Sequence, residues 1–389
     1  MTVIASNYDY LRRKPGGEHR PTEFTADGVR FVWLRTGSYS RNDSGRVMSI
    51  LRYTLHAAWS AMRSRPRPDV IVGSSPHPLA GLSAGIAARW LGVPWIYEAR
   101  DIWPSALVDL GALKRGGLTH RALEMVERFA YSTSARVVVV PPLGHLRLGE
   151  LGFPEQKAIH IPNGVDLSTT GGPLPPTLEE ILTGQRGRFV IAYTGAMGVP
   201  HGLESSLEGM ARLAADDPPL ARGVTLVLIG DGVRRLALMK RAHELSLANV
   251  FFHDAIDKRG VRTVLARSDA GLMQAGPSDH FKYGLSPNKL FDYFAASKPV
   301  LISSAYPTIV DVADAGLRFE PGNPQAFADA VKRLVNMPLS QREAMGERGR
   351  VLVLTRYTIA TIVDAYERLL LEVSGRVRRP GRTDGAIPD

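Results

Sequence analysis

The sequence predicts an α/β protein made of two consecutive doubly wound domains. Short runs of β-branched residues alternate with longer helical patterns along most of the chain, which is typical of parallel sheets. The alternation breaks at residues 167–187, where the run TTGGPLPP indicates a linker or irregular connection. A length of 389 residues, 44% of them hydrophobic, is enough for two such domains.

The strand pattern occurs in two series, one on each side of this connection. The first series is predicted at residues 2–5, 29–34, 70–73, 95–97 and 137–140, with helices at 80–90 and 118–132. The second is predicted at residues 189–193, 224–229, 250–252, 270–273 and 300–302. The resulting domains are 1–165 and 166–356, with a helix at about 357–373 expected to pack back on the first domain. The tail 375–389 is rich in Arg, Gly and Pro, which predicts disorder.

Composition excludes several classes of site. The chain has no cysteine, which excludes disulfides, thiolate metal ligands and cysteine nucleophiles. No Asp-x-Asp motif occurs, and no His and carboxylate cluster has metal-ligand spacing, so we expect neither a metal nor a cofactor. The first residues, MTVIASNYDY, are too short and polar for a signal peptide, and no apolar run approaches the roughly 18 residues of a spanning helix. These features predict a cytoplasmic protein.

The positive charge is concentrated in the first half of the chain. Of the net charge of +10, residues 1–150 contribute +8 and the remainder +2. Such a half suits an anionic partner: nucleic acid, lipid headgroups or a phosphorylated substrate. No zinc-finger, RNA-binding or helix-turn-helix pattern is present, which argues against nucleic acid. Residues 46–67 combine five arginines with large apolar residues, which fits either a basic amphipathic helix on the inner leaflet of a membrane or an ordinary domain helix with solvated arginines.

Two strand ends in the first half present polar residues. Ligands of open α/β sheets bind at the carboxyl ends of strands, so residues at these ends are candidates for catalysis. His77 follows the strand at 70–73, and Glu98, Arg100 and Asp101 follow the strand at 95–97. An Arg–Asp pair in such a place is either a structural salt bridge or a catalytic pair, and both interpretations remain open.

Glycine-rich turns follow the strands of the second half. The loop TGAMGVPHGLE places Gly195, Gly198 and Gly202 before a helix, where glycines let backbone amides approach phosphate oxygens. The next turn, GDGVRR, contains Gly230 and Gly232. In HDAID, the backbone near Ile256 is suited to contact a base edge.

The segment KYGLSPNKLFDYFAASKP, residues 282–299, gives the sharpest signal. Ser286 as N-cap and Pro287 at the first helical position predict a helix start, with Lys289 in its first turn. Free N–H groups and a lysine form an anion site suited to a diphosphate, and Asp292 could accept hydrogen bonds from a ribose diol. Lysine is scarce, yet Lys282 and Lys289 bracket this start. The alternative is a capped surface helix with solvated charges.

Six segments together give the chain a family resemblance. They are SSPHPLAGLSAGIAAR, EARDIWPSALVDLGAL, IPNGVD, YTGAMGVPHGLE, VLIGDGVRR and GLSPNKLFDYFAASKPV, and they occur in family order. From about residue 2 to residue 371 the chain resembles retaining glycosyltransferases of family 4, which have the GT-B fold of two Rossmann-like domains facing a cleft. The resemblance is closest to the bacterial surface-polysaccharide branch, including fucosaminyltransferase-like enzymes.

The resemblance implies a function and a set of site residues. It implies transfer of a hexose or N-acetylaminosugar from a nucleoside-diphosphate sugar, with UDP favoured, to a glycan or lipid-linked acceptor, without a metal and with retention of configuration. The implied catalytic residues of the first domain are Arg100 and Asp101, and His77 is a further candidate. The implied donor-binding residues are Gly195, Gly198, His201, Gly202, Gly230, Gly232, Ile256, Lys282, Ser286, Pro287, Asn288, Lys289, Leu290 and Asp292.

Three departures from the family pattern modify these expectations. Gly284 stands at the first acidic position of the family's spaced pair. Ala196 and His201 replace basic residues of the glycine loop. We therefore expect Lys289 and Lys282 to supply most of the positive charge that binds the diphosphate. The family's initial strand and Gly-rich loop are missing before residues 2–5. A start codon placed too late is the favoured explanation, and the other is an impaired enzyme. The alternatives to a transferase are therefore a GT-B scaffold protein and a UDP-sugar 2-epimerase.

Overall fold

The computed structural model describes residues 1–9, 14–15, 23–37, 44–109, 111 and 113–375. The chain divides into two compact units: Met1–Ile161 together with Ala365–Asp389, and Pro162–Asp364. The tail that the sequence predicts to be disordered lies, apart from Gly375, outside the described residues.

The first unit contains nine strands and five helices in its described part. The strands are β1 (Thr2–Ser6), β2 (Tyr8–Asp9), β3 (Lys14–Pro15), β4 (Glu23–Ala26), β5 (Val29–Leu34), β6 (Ile71–Ser74), β7 (Trp95–Ala99), β8 (Arg136–Val139) and β9 (Ala158–His160). The helices are α1 (Ser44–Met62), α2 (Pro78–Leu91), α3 (Ser105–Asp109), α4 (Leu118–Thr133) and α5 (His145–Glu150).

The strands of the first unit form separate sheets. Strands β6, β7, β8 and β9 form a parallel sheet in chain order. Strand β1 pairs in parallel with β5, which pairs with β4 in antiparallel fashion, while β2 and β3 form a two-stranded ribbon. Residues such as Trp95, Tyr97, Tyr131 and Val137 form the buried core beside the four-stranded sheet.

The second unit begins after Ile161 and contains six strands with helices between them. The strands are β10 (Phe189–Thr194), β11 (Val224–Ile229), β12 (Val250–His253), β13 (Ala270–Met273), β14 (Val300–Ser303) and β15 (Gly316–Phe319). The helices are α6 (Pro176–Gly184), α7 (Glu204–Asp216), α8 (Pro218–Arg222), α9 (Arg235–Glu244), α10 (Lys258–Ala266), α11 (Asn288–Ala295), α12 (Ile309–Val312), α13 (Pro324–Asn336), α14 (Leu339–Arg356) and α15 (Ile359–Val373), the last of which crosses into the first unit at Ala365.

The strand order of the second sheet creates a switch point. The six strands are parallel and follow the order β12-β11-β10-β13-β14-β15. From β10 the chain adds β11 and then β12 on one side of the sheet. It then returns to β13, beside β10, and adds β14 and β15 on the other side. A crevice therefore opens at the carboxyl ends of β10 and β13, which is the binding position in doubly wound sheets.

Alternating side chains of β10 face two separate cores. Ile191 and Tyr193 belong to the core that includes residues of α7 and α13. Val190 and Ala192 belong to the core formed with α6, α10 and α11. Because helices cover both faces, all six residues of β10 are buried.

Most of the predicted elements are confirmed, and one prediction is wrong. All ten predicted strands occur, three of them with the predicted ends: β5, β11 and β13. The segment 167–187, predicted as an irregular connection, contains α6, where Pro176 occupies the start of the helix and Leu178 and Leu182 are buried. The sequence analysis missed five strands of two to four residues each: β2, β3, β4, β9 and β15. In the described part of the chain, no helix has both the length and the apolar character to cross a membrane.

Substitution of Gly230 tests the packing of the loops at the switch point. Gly230 has φ of +147°, and a Cβ atom there would lie 1.9 Å from the carbonyl oxygen of Gly195. We expect Gly230→Ala to lower the free energy of unfolding by about 3 kcal/mol or more, because both the backbone and the neighbouring loop must shift. In the control Gly184→Ala, the Cβ atom meets nothing within 4 Å, and the change should stay within about 0.5 kcal/mol of wild type. Urea unfolding followed by circular dichroism measures both, and equal stability of the two variants would contradict the loop geometry.

Candidate functional site

Two loops and a helix start converge at the switch point of the second unit. The loop after β10 begins at Gly195, and its Gly202 lies against the backbone of Gly276, which follows β13. Farther along the chain from Gly276, α11 begins at Asn288 and brings Lys289 to the loop. The topology therefore brings together segments that are almost a hundred residues apart in the sequence.

The glycines of the two turns after β10 and β11 permit backbone-to-backbone packing. The N–H of Gly195 donates to the carbonyl of Ile229 at 2.9 Å, and the N–H of Met197 donates to the carbonyl of Asp231 at 2.8 Å. A side chain at Gly232 would collide with the backbone of Met197, as one at Gly230 would with Gly195. Gly230 and Gly232 thus allow the backbone of their own turn to pack closely against the backbone of the loop after β10.

Lys289 lies at the centre of the candidate site. Its Nζ donates a hydrogen bond to Tyr193 Oη at 2.8 Å and stands 3.9 Å from the centroid of the Tyr193 ring. Among the residues that the structure describes, no carboxylate forms an ion pair with it. Burial lowers the pKa of Lys289 to about 7, since the ammonium has lost much of its hydration. A cation in this state is suited to bind an anion, which would restore the missing charge compensation.

His201 and Lys282 occupy different positions relative to this cation. The His201 ring lies 6.3 Å from the Tyr193 ring, and burial together with the charge of Lys289 lowers its pKa to about 4. His201 is therefore neutral at pH 7 and adds no positive charge. Lys282 is exposed, and its ammonium stands 4.7 Å from the centroid of the Tyr283 ring. Gly198, which precedes the short 3-10 turn containing His201, has an extended backbone.

The start of α11 differs from the prediction. Ser286 is not the N-cap: Pro287 holds that position with an extended backbone, and the first helical residue is Asn288. The carbonyl of Ser286 instead accepts a hydrogen bond from Asn163 Nδ2 at 2.7 Å, which fixes the entry to the helix. The Ser286 hydroxyl is buried and has no hydrogen-bond partner in the described part of the protein. The apolar side chains of α11, among them Leu290, Phe291 and Phe294, are buried.

Asp292 is buried and already paired. It is 5% exposed, and its two carboxylate oxygens accept hydrogen bonds from Lys258 Nζ at 2.9 and 2.6 Å. Arg262 stands 3.9 Å away and donates to the carbonyl of Asp166. Each carboxylate oxygen has a second lone pair, so a ribose hydroxyl can share Asp292 with Lys258. Sequence reasoning missed Lys258 and Arg262, although the scarcity of lysine and the position of Lys258 directly after the N-cap Asp257 were visible signals.

Ile256 lies just before α10, where the structure places it against the core. Its side chain is half-buried and packs on the core beside α10 and α11. Asp257 caps α10 by accepting from the N–H of Gly260 at 2.7 Å. The segment between β12 and α10 is thereby fixed at the same sheet edge as Asp292, next to the residue Lys258 that pairs with it.

The first unit contains the other candidates. His77 precedes α2 at the carboxyl end of β6, its Nδ1 is buried without a hydrogen-bond partner in the described residues, and its ring meets that of Tyr53 edge-on at 5.6 Å. Burial and the nearby charge of Arg46 lower the pKa of His77 to about 4, so its imidazole is neutral at pH 7.

Arg100 and Asp101 are both exposed and do not pair with each other. In the described part of the chain neither forms an ion pair, so the structural salt bridge considered from the sequence is not present. The backbone N–H of Arg100 donates to Ser75 Oγ at 3.3 Å, which ties this strand end to the end of β6. Glu98, in the same segment, accepts a short hydrogen bond from the hydroxyl of Tyr366 on α15. Sequence reasoning missed Tyr366, because a contact between residues 268 positions apart leaves no local signal.

The described residues of the second unit therefore form a candidate anion site. The ammonium of Lys289 and the N–H groups of Asn288 and Lys289 at the helix start are suited to an anion, whereas the buried carboxylate of Asp292, one turn farther along, is suited to accept hydrogen bonds from hydroxyl groups. Among the described residues, no group of three or more His, Asp or Glu side chains is arranged to hold a metal ion. The arrangement is suited to a ligand that combines an anionic group, bound by the positive charge, with a hydroxylated ring, bound by hydrogen bonds.

Comparison with known proteins defines the class. Residues 1–164 match the family model of the glycosyl transferase 4-like domain, and residues 188–337 match that of the glycosyl transferases group 1. The two models together span most of the chain. It belongs to the family-4-like glycosyltransferases with the GT-B fold and is an enzyme of the transferase class.

Individual relatives agree with this class. The chain is 23% identical over 314 residues to the probable glycosyltransferase WbjE of Pseudomonas aeruginosa, covering 78% of this chain and 76% of that protein. Among solved structures it is similar to sucrose-phosphate synthase from Thermosynechococcus elongatus, with a TM-score of 0.73, 16% identity, and coverage of 97% and 89% of the two chains. It is also similar to Anabaena HepE, crystallised with UDP and glucose, with a TM-score of 0.64, 14% identity, and coverage of 88% and 86%.

Tyr193→Phe tests the support of Lys289. The variant keeps the ring under the ammonium and removes the oxygen that accepts its hydrogen bond. We expect the affinity for inorganic pyrophosphate at pH 7 to fall by about 3- to 10-fold, because the protonated lysine loses a partner. The control Tyr306→Phe, whose hydroxyl lies 3.4 Å from Asp279, should bind as wild type does. Isothermal titration calorimetry measures both, and unchanged affinity in Tyr193→Phe would show that Tyr193 has no such role.

Proposed function

We propose that this enzyme is a retaining, metal-independent glycosyltransferase that transfers a sugar from a UDP-sugar to a polysaccharide or lipid-linked acceptor in the synthesis of cell-surface glycans. The proposal rests on one observation above all: the ammonium of Lys289 lies at a helix start on the switch-point edge, without a carboxylate partner in the described part of the chain. A diphosphate fits this position by charge and by geometry.

The nucleotide half of the donor would occupy the second unit. The diphosphate would contact Lys289 and the N–H groups of Asn288 and Lys289, and the ribose diol would donate to Asp292 beside Lys258. The backbone near Ile256 would meet the base. UDP is favoured over GDP by the resemblance to the surface-polysaccharide branch, and the UDP bound to HepE, a protein of similar fold, supports that choice.

Positive charge and hydrogen-bond donors would stabilise the leaving group. As the bond from the sugar to the phosphate breaks, charge grows on the departing UDP, and Lys289 stands where it can compensate that charge. Lys282, which is exposed on the 3-10 turn before α11, would add a second positive charge. His201, being neutral, would contribute a hydrogen bond rather than charge. Retention would follow front-side attack, in which the departing phosphate accepts the acceptor's proton and no protein nucleophile is required.

The acceptor would be bound by the first unit. There His77, Arg100 and Asp101 lie at the carboxyl ends of neighbouring parallel strands. The exposed Arg100 suits an anionic group of the acceptor, such as the pyrophosphate of a lipid carrier. The excess of positive charge in the first 150 residues supports an acceptor held at the cytoplasmic face of a membrane, where the enzyme would be a peripheral protein.

Lys289→Ala is the direct test of the donor site. We expect kcat/KM for the UDP-sugar to fall by about 100-fold or more, because the main positive charge beside the leaving phosphate is removed. Lys282→Ala should cost less, about 3- to 10-fold, because the side chain is exposed and its charge is screened. Lys298→Ala, at the other end of the same segment, is the matched control and should leave turnover unchanged. Equal turnover by Lys289→Ala and the control would refute the role of Lys289.

Incubation of the purified protein with radiolabelled nucleotide sugars separates the proposed function from its alternatives. Transfer or slow hydrolysis that persists in EDTA supports a metal-independent transferase, and NMR of the product gives the anomeric configuration. UDP binding without turnover would indicate a scaffold, and interconversion of UDP-sugars would indicate a 2-epimerase. Loss of activity in EDTA that Mg²⁺ or Mn²⁺ restores would contradict the metal-independent mechanism.

A further inference from the structure

Helix α1 has its hydrophobic pattern turned outward. The residues that it buries are small or polar: Ser49, Thr54, Ala57 and Ala58. Most of its large apolar side chains are exposed to solvent, with Leu55 at 71% and Trp59 at 57%, and the exposed set is Val47, Met48, Leu51, Leu55 and Trp59. An ordinary surface helix buries its large apolar residues, whereas on α1 these five side chains have no covering partner among the residues that the structure describes.

The exposed residues form one continuous stripe. Val47, Leu51, Leu55 and Trp59 follow one another at intervals of four, which places each above the previous one along the helix. Arg63 is the next position in the same series, and its guanidinium stands 4.0 Å from the centroid of the Trp59 ring. With 19 residues, α1 is about 28 Å long, so the stripe is long enough to lie along a surface.

The inner face of α1 explains why the stripe is outside. Helix α1 packs against α2, and the buried positions of both helices are mainly small residues. Thr54 donates to the carbonyl of Ile50 in its own helix, and the hydroxyl of Tyr53 donates to the carbonyl of Ile4 in β1 at 3.3 Å. The helix is therefore anchored to the first unit through its small and polar side, and the outward direction of the stripe is set by that packing.

The charged residues of the segment that carries the stripe are all of one sign. Between residues 44 and 68 the sequence contains five arginines and no Asp or Glu. Within the described residues, Arg52, Arg63 and Arg65 are exposed and form no ion pair with a carboxylate. Arg67 donates to the carbonyls of Leu91 and Gly92 at the end of α2, which joins the charged segment to the body of the unit.

We propose that the stripe of Val47, Met48, Leu51, Leu55 and Trp59, flanked by Arg52, Arg63 and Arg65, docks on an anionic lipid bilayer. The apolar side chains would enter the boundary between headgroups and acyl chains, with Trp59 at that boundary and the arginines contacting lipid phosphates. A second copy of the chain is a poorer occupant, because two such faces would bring arginines against arginines. This surface deepens the proposed function by naming how the enzyme reaches a membrane-held acceptor.

Vesicle co-sedimentation of the full chain tests the surface. Vesicles with 30% phosphatidylglycerol in phosphatidylcholine are compared with vesicles of phosphatidylcholine alone, at low and at high salt. We expect binding to the anionic vesicles only, weakened by salt, and reduced about 10-fold or more in the double variant Leu55→Ser/Trp59→Ser. Because both side chains are exposed, the variant should unfold at the same urea concentration as wild type. Leu236→Ser, at an equally exposed apolar position on α9, is the matched control and should bind as wild type does.

The outcomes distinguish this surface from the donor site. The affinity for UDP, measured by calorimetry, should be the same in wild type and in Leu55→Ser/Trp59→Ser. If the proposed function is wrong, wild type will fail to bind UDP in calorimetry, whatever the result of vesicle sedimentation. Equal vesicle binding by the double variant and by Leu236→Ser overturns the proposal. So does absence of binding to anionic vesicles by wild type. A wild-type dimer in light scattering that the double variant abolishes, without vesicle binding, would assign the stripe to a second copy and also overturn it.

Discussion

The pairing of β10 with β13 is the constraint on which the second unit depends. These two strands are joined by parallel hydrogen bonding although four α-helices and two other strands separate them in the sequence. Their pairing reverses the direction in which the sheet grows and so opens the crevice at their carboxyl ends. It also brings the Gly195 loop, the Gly230 turn and the start of α11 together. Lys289 can lie on Tyr193 only because this topology exists.

The sequence was sufficient for those features that depend on local patterns. The strands at 224–229 and 270–273 are mainly apolar runs bounded by polar or glycine residues, so composition locates their ends. The same holds for the buried face of α11. Helix α6 was hidden because the Gly and Pro residues before it dominate the local signal, although Pro176 is a helix-starting residue. The N-cap was placed one residue too early, since Ser286 is held by Asn163 from a distant segment.

Contacts between distant segments account for the rest of the site. Two hydrogen bonds of the site join residues on different elements: Lys258 with Asp292, and Lys289 with Tyr193. Their spacing in the sequence follows no rule, so the sequence does not predict them. These contacts change the interpretation of the two residues that the sequence did indicate, Asp292 and Lys289. Asp292 is a carboxylate with a cation already bound, and Lys289 is a cation without a carboxylate partner in the described residues. Helix α1 shows the same limit, since its amphipathic pattern was visible but the direction of its apolar face depends on packing against α2.

The central claim is that Lys289 acquires its charge compensation from the donor diphosphate. Calorimetric titration of UDP at pH 8, repeated in two buffers with different ionisation enthalpies, counts the protons taken up on binding. Since the pKa of Lys289 is about 7 in the free protein and a bound anion raises it, the wild type should take up about one proton, and Lys289→Arg, which stays charged, about none. UDP binding by wild type without proton uptake, or the same uptake in Lys289→Arg, would contradict this account.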